Sequence, residues 1–166
     1  MSRTLLVQFC VALCLVVHCS PSLAREPIAA GETLELKEDL VLRGEDRFEA
    51  NGSAGKRCTI TGNGFCIRSE GNWTGVLKLE HCDLKGLGAA VTFTEDKMRI
   101  LKEFPALQLT SRSKGSVDIQ HCVLDACGAV HIQNDGESTT VFSHNTVLEN
   151  TLAHALLIRF TPRARD

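Results

Sequence analysis

The sequence has no tyrosine and one tryptophan, and with its seven phenylalanines the aromatic share is only 5%. A core without large rings must be built from Val, Ile, Leu and Ala, which suits the narrow interior of a coiled sheet better than a two-layer domain. A basic excess is missing too. The 18 Lys and Arg against 20 Asp and Glu give a formal net charge of −2, with no stripe of positive charge of the kind nucleic-acid binding requires, so nucleic acid is not an expected partner. No two cysteines have CxxC spacing and no Cys/His series has zinc-site spacing, so neither a metal nor a cofactor is expected. The longest apolar run, Leu5 to Val17, falls short of the roughly 20 residues of a membrane span and is followed by His18 and Pro21.

That run instead reads as the centre of a secretory signal over residues 1–24. Arg3 supplies the positive start and Ser22-Leu23-Ala24 the small-x-small cleavage site. The expected product is secreted or periplasmic, and not an integral membrane protein after cleavage. Its roughly 142 residues suffice for one domain with one core. Cys10, Cys14 and Cys19 leave with the signal, and the five that remain cannot all pair within one chain. Cys82 and Cys122 each follow a histidine at equivalent repeat positions. They read first as small apolar residues stacked in a turn, and a disulfide between them is also sterically open, since stacked strands lie about 4.8 Å apart and disulfide Cα distances include that value.

What the chain does have is a repeat. Ala106-Leu107-Gln108-Leu109, a polar run, and Val117 to Leu124 are followed by Ala129-Val130-His131-Ile132, a second polar run, and Val141 to Leu148, with another start at Ala155. Ala106 to Ala129 is 23 residues, Ile119 to Ser143 is 24 and Ala129 to Ala155 is 26. Each unit holds short runs of alternating apolar residues and no helix, the pattern of a stacked solenoid. Val76 to Leu84 matches Val117 to Leu124 at Leu77/Val117, Leu79/Ile119, His81/His121, Cys82/Cys122 and Leu84/Leu124. The His-Cys pairs then fall at a corner where successive coils lie over one another. For the third unit, His144 or Asn145 can be set against His121; the apolar strand positions favour Asn145, because a one-residue slip would turn them outward.

The fold class expected is therefore all-β, a right-handed parallel β-helix of about three to four coils with an N-terminal cap and one helical insertion. The boundaries are a cap region over 25–56, coils over 57–160 and a tail over 161–166. Within the cap, Leu34-Glu35-Leu36 and Leu40-Val41-Leu42 read as strands of a first irregular turn, and Arg43 to Lys56 reads as a loop over the stack end. The insertion spans 86–105. Gly88 to Thr94 reads as an extra strand, and Met98, Leu101 and Phe104 at helical spacing predict a helix that Pro105 stops.

The order strand, polar run, Val-x-Ile-x-His-Cys, Leu resembles the pectin-lyase-like superfamily of right-handed parallel β-helix proteins. Val117 to Cys122 is similar to the W-I-D-H-C strand of pectate lyases, and Glu137 to Asn145 to the strand and asparagine corner that follow it. The resemblance covers roughly Cys58 to Phe160 and implies a fold more than an activity. Gln120 stands where those lyases carry a calcium-binding Asp, and Ala126 to Val130 brings no D-G-x-x-D carboxylates. Arg159 to Arg165 places its Pro one residue late for the lyase R-x-P-x-x-R, and the acidic pair and Gly-His-Gly of polygalacturonase-like hydrolases are missing.

The resemblance also implies where a saccharide would lie, along the outside of the strand represented by Phe65-Ile67, Leu107-Leu109, Val130-Ile132 and Leu156-Ile158. With those residues inward, the outward columns read Cys66, Gln108, His131, Leu157 and Arg68, Thr110, Gln133, Arg159. Arg68, Gln108, His131, Gln133 and Arg159 are the candidate substrate-binding residues, since an Arg fork and amide groups suit the carboxylate and hydroxyls of an acidic sugar. His131 and Asp135 are the candidate pair for proton transfer, although Asn134-Asp135-Gly136 also has the composition of a turn. The expected function is a polysaccharide-associated module that binds an acidic polysaccharide without a complete catalytic set. The alternatives are a lyase or glycoside hydrolase, as part of a longer enzyme, and a structural interaction solenoid. With no evident C-terminal cap after Phe160, a second subunit or further coils are expected over the last coil.

Overall fold

Runs such as Val117-Asp118-Ile119-Gln120 alternate with period two, so each strand has one apolar face. Strands this short bury that face only by stacking on copies of themselves. The computed structural model describes residues 25–95, 98–113, 115–136, 138–148 and 156–161. Residues 1–24, read above as a secretory signal, and residues 162–166 of the expected tail lie outside this set. Strand β1 (Ile28–Ala29) precedes a coil made of β2 (Thr33–Glu35), β3 (Leu40–Arg43) and β4 (Arg47–Asn51). The next coil is β5 (Cys58–Thr61), β6 (Ile67–Glu70) and β7 (Val76–Glu80). The third is β8 (Cys82–Lys85), the paired strands β9 (Ala89–Glu95) and β10 (Met98–Phe104), then β11 (Leu107–Ser113) and β12 (Ser116–Gln120). The fourth is β13 (Val123–Asp125), β14 (Val130–Gly136) and β15 (Thr139–Ser143), followed by β16 (Thr146–Leu148) and β17 (Leu156–Thr161).

Three five-stranded parallel sheets run along this stack: sheet 1 is β1-β4-β7-β12-β15, sheet 2 is β2-β5-β8-β13-β16 and sheet 3 is β3-β6-β11-β14-β17. The chain is thus a parallel β-solenoid of about four turns. Thr33 to Thr59, Cys58 to Cys82 and Val123 to Thr146 give coil lengths of 26, 24 and 23 residues. Inward columns such as Leu34, Ile60, Leu84 and Leu124 form the axis of the core, and Val147 continues this column on the last coil at 38% exposure. Trp73 is fully buried and donates its indole N–H to the Asp46 carbonyl at 3.0 Å. Gly75 beside it cannot carry a side chain, because a Cβ there would lie 1.9 Å from the Asp46 oxygen.

Single residues in the left-handed region turn the corners. His81, His121 and His144 have φ of 49°, 54° and 55° between sheet 1 and sheet 2, while Asn63, Gly86 and Ala126 have φ of 52°, 58° and 49° between sheet 2 and sheet 3. The former corner decides the register of the last coil. Gln120 pairs with Ser143 and Val123 with Thr146, so His144 stands over His121 and Val147, not Leu148, over Leu124. The expected alignment of Asn145 with His121 is therefore corrected by one residue. Its cost is visible, because Val141 and Leu148 face outward at 43% and 46% exposure. What offsets it is Asn145, which enters the inward column above Cys122, accepts the Cys122 N–H at 2.8 Å and donates to the Ile119 carbonyl at 2.8 Å.

Three further expectations change. The helix predicted over the insertion is instead strand β10, antiparallel to β9 from Met98↔Glu95 to Phe104↔Ala89. Ala89-Ala90-Val91-Thr92-Phe93-Thr94 is rich in strand formers, and β10 finds in it the backbone partners that three apolar residues at helical spacing do not supply. The stretch read as a loop over the stack end contains β4, paired with β7 from Arg47↔Val76 to Asn51↔Glu80. The turn read at Asn134-Asp135-Gly136 is the continuation of β14, paired with both β11 and β17.

Among the described residues, the cysteines at positions 58, 66, 82, 122 and 127 are free thiols. Cys82 and Cys122 are coil neighbours without the disulfide that their spacing left open. Each instead donates to a carbonyl of the core lining, Cys82 to Ala50 at 3.5 Å and Cys122 to Leu79 at 3.5 Å. The adjacent Cys122 sulfur, together with burial, pushes the Cys82 thiol above its ordinary range.

Candidate functional site

Sheet 3 presents alternate residues to its outer face because Leu107, Leu109, Val130 and Ile132 are held in the core at 2% exposure or less. The residues between them, Gln108, Thr110, His131 and Gln133, must then point away from the axis. Register carries this across coils: Gln108 pairs with His131 and His131 with Leu157, while Thr110 pairs with Gln133 and Gln133 with Arg159. Gln108, Thr110, His131, Gln133, Leu157 and Arg159 line an open cavity of about 210 Å³. Four of the five candidate binding residues are thus brought together.

Arg68 is not among them. Its strand is shifted by two residues from the expected alignment, so that Ile67 pairs with Leu107 and Arg68 with Gln108. A shift of two leaves every apolar residue inward, so alternation cannot detect it. The parallel ladder between β6 and β11 ends there. The Ser69 hydroxyl then takes the Thr110 N–H at 2.7 Å. The Arg68 guanidinium donates to Asp39 at 3.1 Å and also bonds Glu70, which Arg43 holds from the other side at 2.7 Å. Burial raises the Asp39 carboxyl, but the Cys66 N–H at 3.1 Å and Arg68 outweigh it and hold the group below its usual range. These four charges satisfy one another beside the cavity. Asp39 and Glu70, which anchor Arg68, had no signal in the sequence beyond their charge.

Among the described residues, Arg159 has no carboxylate partner and the amides of Gln108 and Gln133 have no hydrogen-bond partner. An Arg fork, two amides, one hydroxyl and one imidazole on two columns about 4.8 Å apart per coil can engage several hydroxyls and an anionic group at once. The residues lining the cavity include no carboxylate. Asp135 lies four residues along β14 from His131, its backbone in register with Arg112 and Thr161. No cluster of three His, Cys, Asp or Glu suited to a metal ion occurs among the described residues. Comparison with family models, with curated proteins and with solved structures finds no match to this chain, so its fold rests on the strand register itself.

Proposed function

We propose that this protein is an exported, right-handed parallel β-helix module of the pectin-lyase-like kind that binds an acidic polysaccharide on the outer face of sheet 3. The observation that carries the reading is Arg159, without a carboxylate partner among the described residues, sharing one open cavity with Gln108, His131 and Gln133. A guanidinium in such a setting supplies a bidentate site for a carboxylate, and the amides on either side suit sugar hydroxyls. Five polar side chains and Leu157 around an apolar floor of Leu109 and Ile132 are also the usual make-up of a site that orients a ligand by a few placed groups.

The test is a binding screen of acidic polysaccharides at neutral pH, with ultraviolet absorbance for an unsaturated product and reducing ends for hydrolysis followed in parallel. Saturable binding without turnover is expected, weakened about tenfold or more in Arg159→Gln, the loss of one charge-assisted contact. Turnover would overturn the binding-only reading. Failure to bind any glycan would leave the face as a solvated solenoid surface.

A further inference from the structure

A row of basic side chains runs up the corner between sheet 1 and sheet 2. The residue that precedes the inward column of Cys58, Cys82, Cys122 and Asn145 is Arg57, then His81, His121 and His144. The three imidazoles stack, with centroids 4.7 Å apart and planes 9° apart for His81 and His121, and 4.7 Å and 15° for His121 and His144. With Arg57, Ala54, Val123 and Thr146 they border an open groove of about 280 Å³. Arg57 closes the base of the row, its Nε on Asp83 at 2.5 Å and its Nη2 on the Cys82 and His121 carbonyl oxygens at 2.9 Å each.

The corner conformation does not by itself ask for imidazole. Left-handed backbone is filled by Gly, Asn or Asp as readily as by His, and the opposite corner uses Asn63, Gly86 and Ala126. Histidine at three successive corners places three titratable rings in one accessible line. The carboxylates that face them are already engaged. Glu80, adjacent to His81, is paired with Lys78 at 2.9 Å, and that contact holds its carboxyl below the usual range. Asp83 is taken by Arg57, and Asp118 accepts from the Gln120 amide at 2.8 Å. Gln120 and Ser143, which precede His121 and His144, are uncharged and bond each other at 3.3 Å. Protons added to the rings therefore create net positive charge on this line.

We propose that the Arg57-His81-His121-His144 row is a proton-gated binding site for a linear anionic polysaccharide whose carboxylate or sulfate groups recur at about the inter-strand spacing of ~4.8 Å. A neutral imidazole offers one N–H donor and one acceptor, and a protonated one offers two donors. In the protonated row, like charges one strand apart repel unless an anion lies along them. Proton uptake and anion binding then favour each other by reciprocal linkage. The rings cover one another's inner faces, so the row offers mainly ring edges. Bases need open faces to stack on, which is why a glycan rather than a single-stranded nucleic acid fits. The site is separate from the sheet 3 cavity and does not depend on the reading of that cavity.

The experiment uses the full chain with fluorescein-labelled dextran sulfate, whose charge does not titrate in the range used, and with labelled polygalacturonate to compare sulfate with carboxylate. Anisotropy at about pH 5 and about pH 8, at constant ionic strength, brackets the ordinary imidazole pKa of ~6.5. Binding about tenfold or more tighter at the lower pH is expected, the gain of one or more charge-assisted contacts. The triple variant His81→Asn, His121→Asn, His144→Asn, which keeps residues tolerant of the left-handed region, is expected to lose that gain. A pH gain that survives the triple variant, no binding at the lower pH, or tighter binding of a single-stranded oligodeoxynucleotide would overturn the proposal. Should the triple variant not fold, the imidazole titrations of the wild-type chain decide. Dextran sulfate must raise their midpoints, and unchanged midpoints refute the site.

Discussion

Replacing Asn145 by alanine separates the two alignments open to the last coil. In the structure its amide spans the coil boundary, accepting from the Cys122 N–H and donating to the Ile119 carbonyl, both at 2.8 Å. Ile119 and Cys122 are themselves buried, at 0% and 1% exposure. Each buried backbone group left without its partner costs about 1–3 kcal/mol, and water reaching the half-exposed corner recovers part of this, so the alanine variant should lose about 2–4 kcal/mol. Coils interact mainly with their neighbours, so the loss should fall on the last coil rather than on the whole stack. Hydrogen exchange at the Cys122 amide is the direct assay, and its protection should drop by roughly 30- to 1,000-fold, the same free energy converted at 1.36 kcal/mol per decade. Urea unfolding followed through the buried Trp73 should shift much less. Asn145→Asp, which keeps the acceptor and loses the donor, should fall between the two. With Asn145 at the outward corner instead, the alanine variant would lose only about 1 kcal/mol, the cost of a left-handed position, and that result would refute the register described here.

Ala126 holds φ of 49° at an exposed corner, so Ala126→Gly should stabilise the protein by up to about 1 kcal/mol after the entropy of the unfolded chain is counted, read as a rise in urea midpoint. No rise would show that this corner is unstrained. Asp39, held below its usual range despite burial, contributes stability that is present above its ordinary pKa of ~3.9 and lost as pH falls through the depressed folded value. The urea midpoint of the wild type should therefore fall more steeply than that of Asp39→Asn on acidification from about pH 5 to about pH 2, and equal slopes would remove Asp39 from the account.

Much of the sheet 3 cavity was legible, because Gln108, His131, Gln133 and Arg159 follow from in-out alternation along β11, β14 and β17. Arg68 was misplaced for the one reason alternation cannot see, a shift of two residues that preserves parity. The last coil failed in the opposite way. There parity favours the wrong register, because the left-handed corner at His144 and the two bonds of Asn145 outweigh the exposure of Val141 and Leu148. The insertion failed because Met98, Leu101 and Phe104 fit a helix while Met98, Ile100 and Phe104 fit a strand equally well, and only the presence of β9 beside it chooses.

What the sequence determined by itself is the solenoid. Repeated alternation, a spacing of 23 to 26 residues and a shortage of aromatic side chains leave few other ways to bury so many short apolar faces. What only the tertiary structure decided is which side chains of successive coils meet. That depends on corner dihedrals and on the capture of single backbone groups by Asn145, Ser69 and Asp39, each a local bond whose partner lies a full coil away in the chain. The stacking of His144 on His121 goes with the register that Asn145 holds, and the separation of Arg159 from Arg68 with the end of the β6–β11 ladder, where Ser69 takes the Thr110 N–H; these are the two surfaces on which function is proposed.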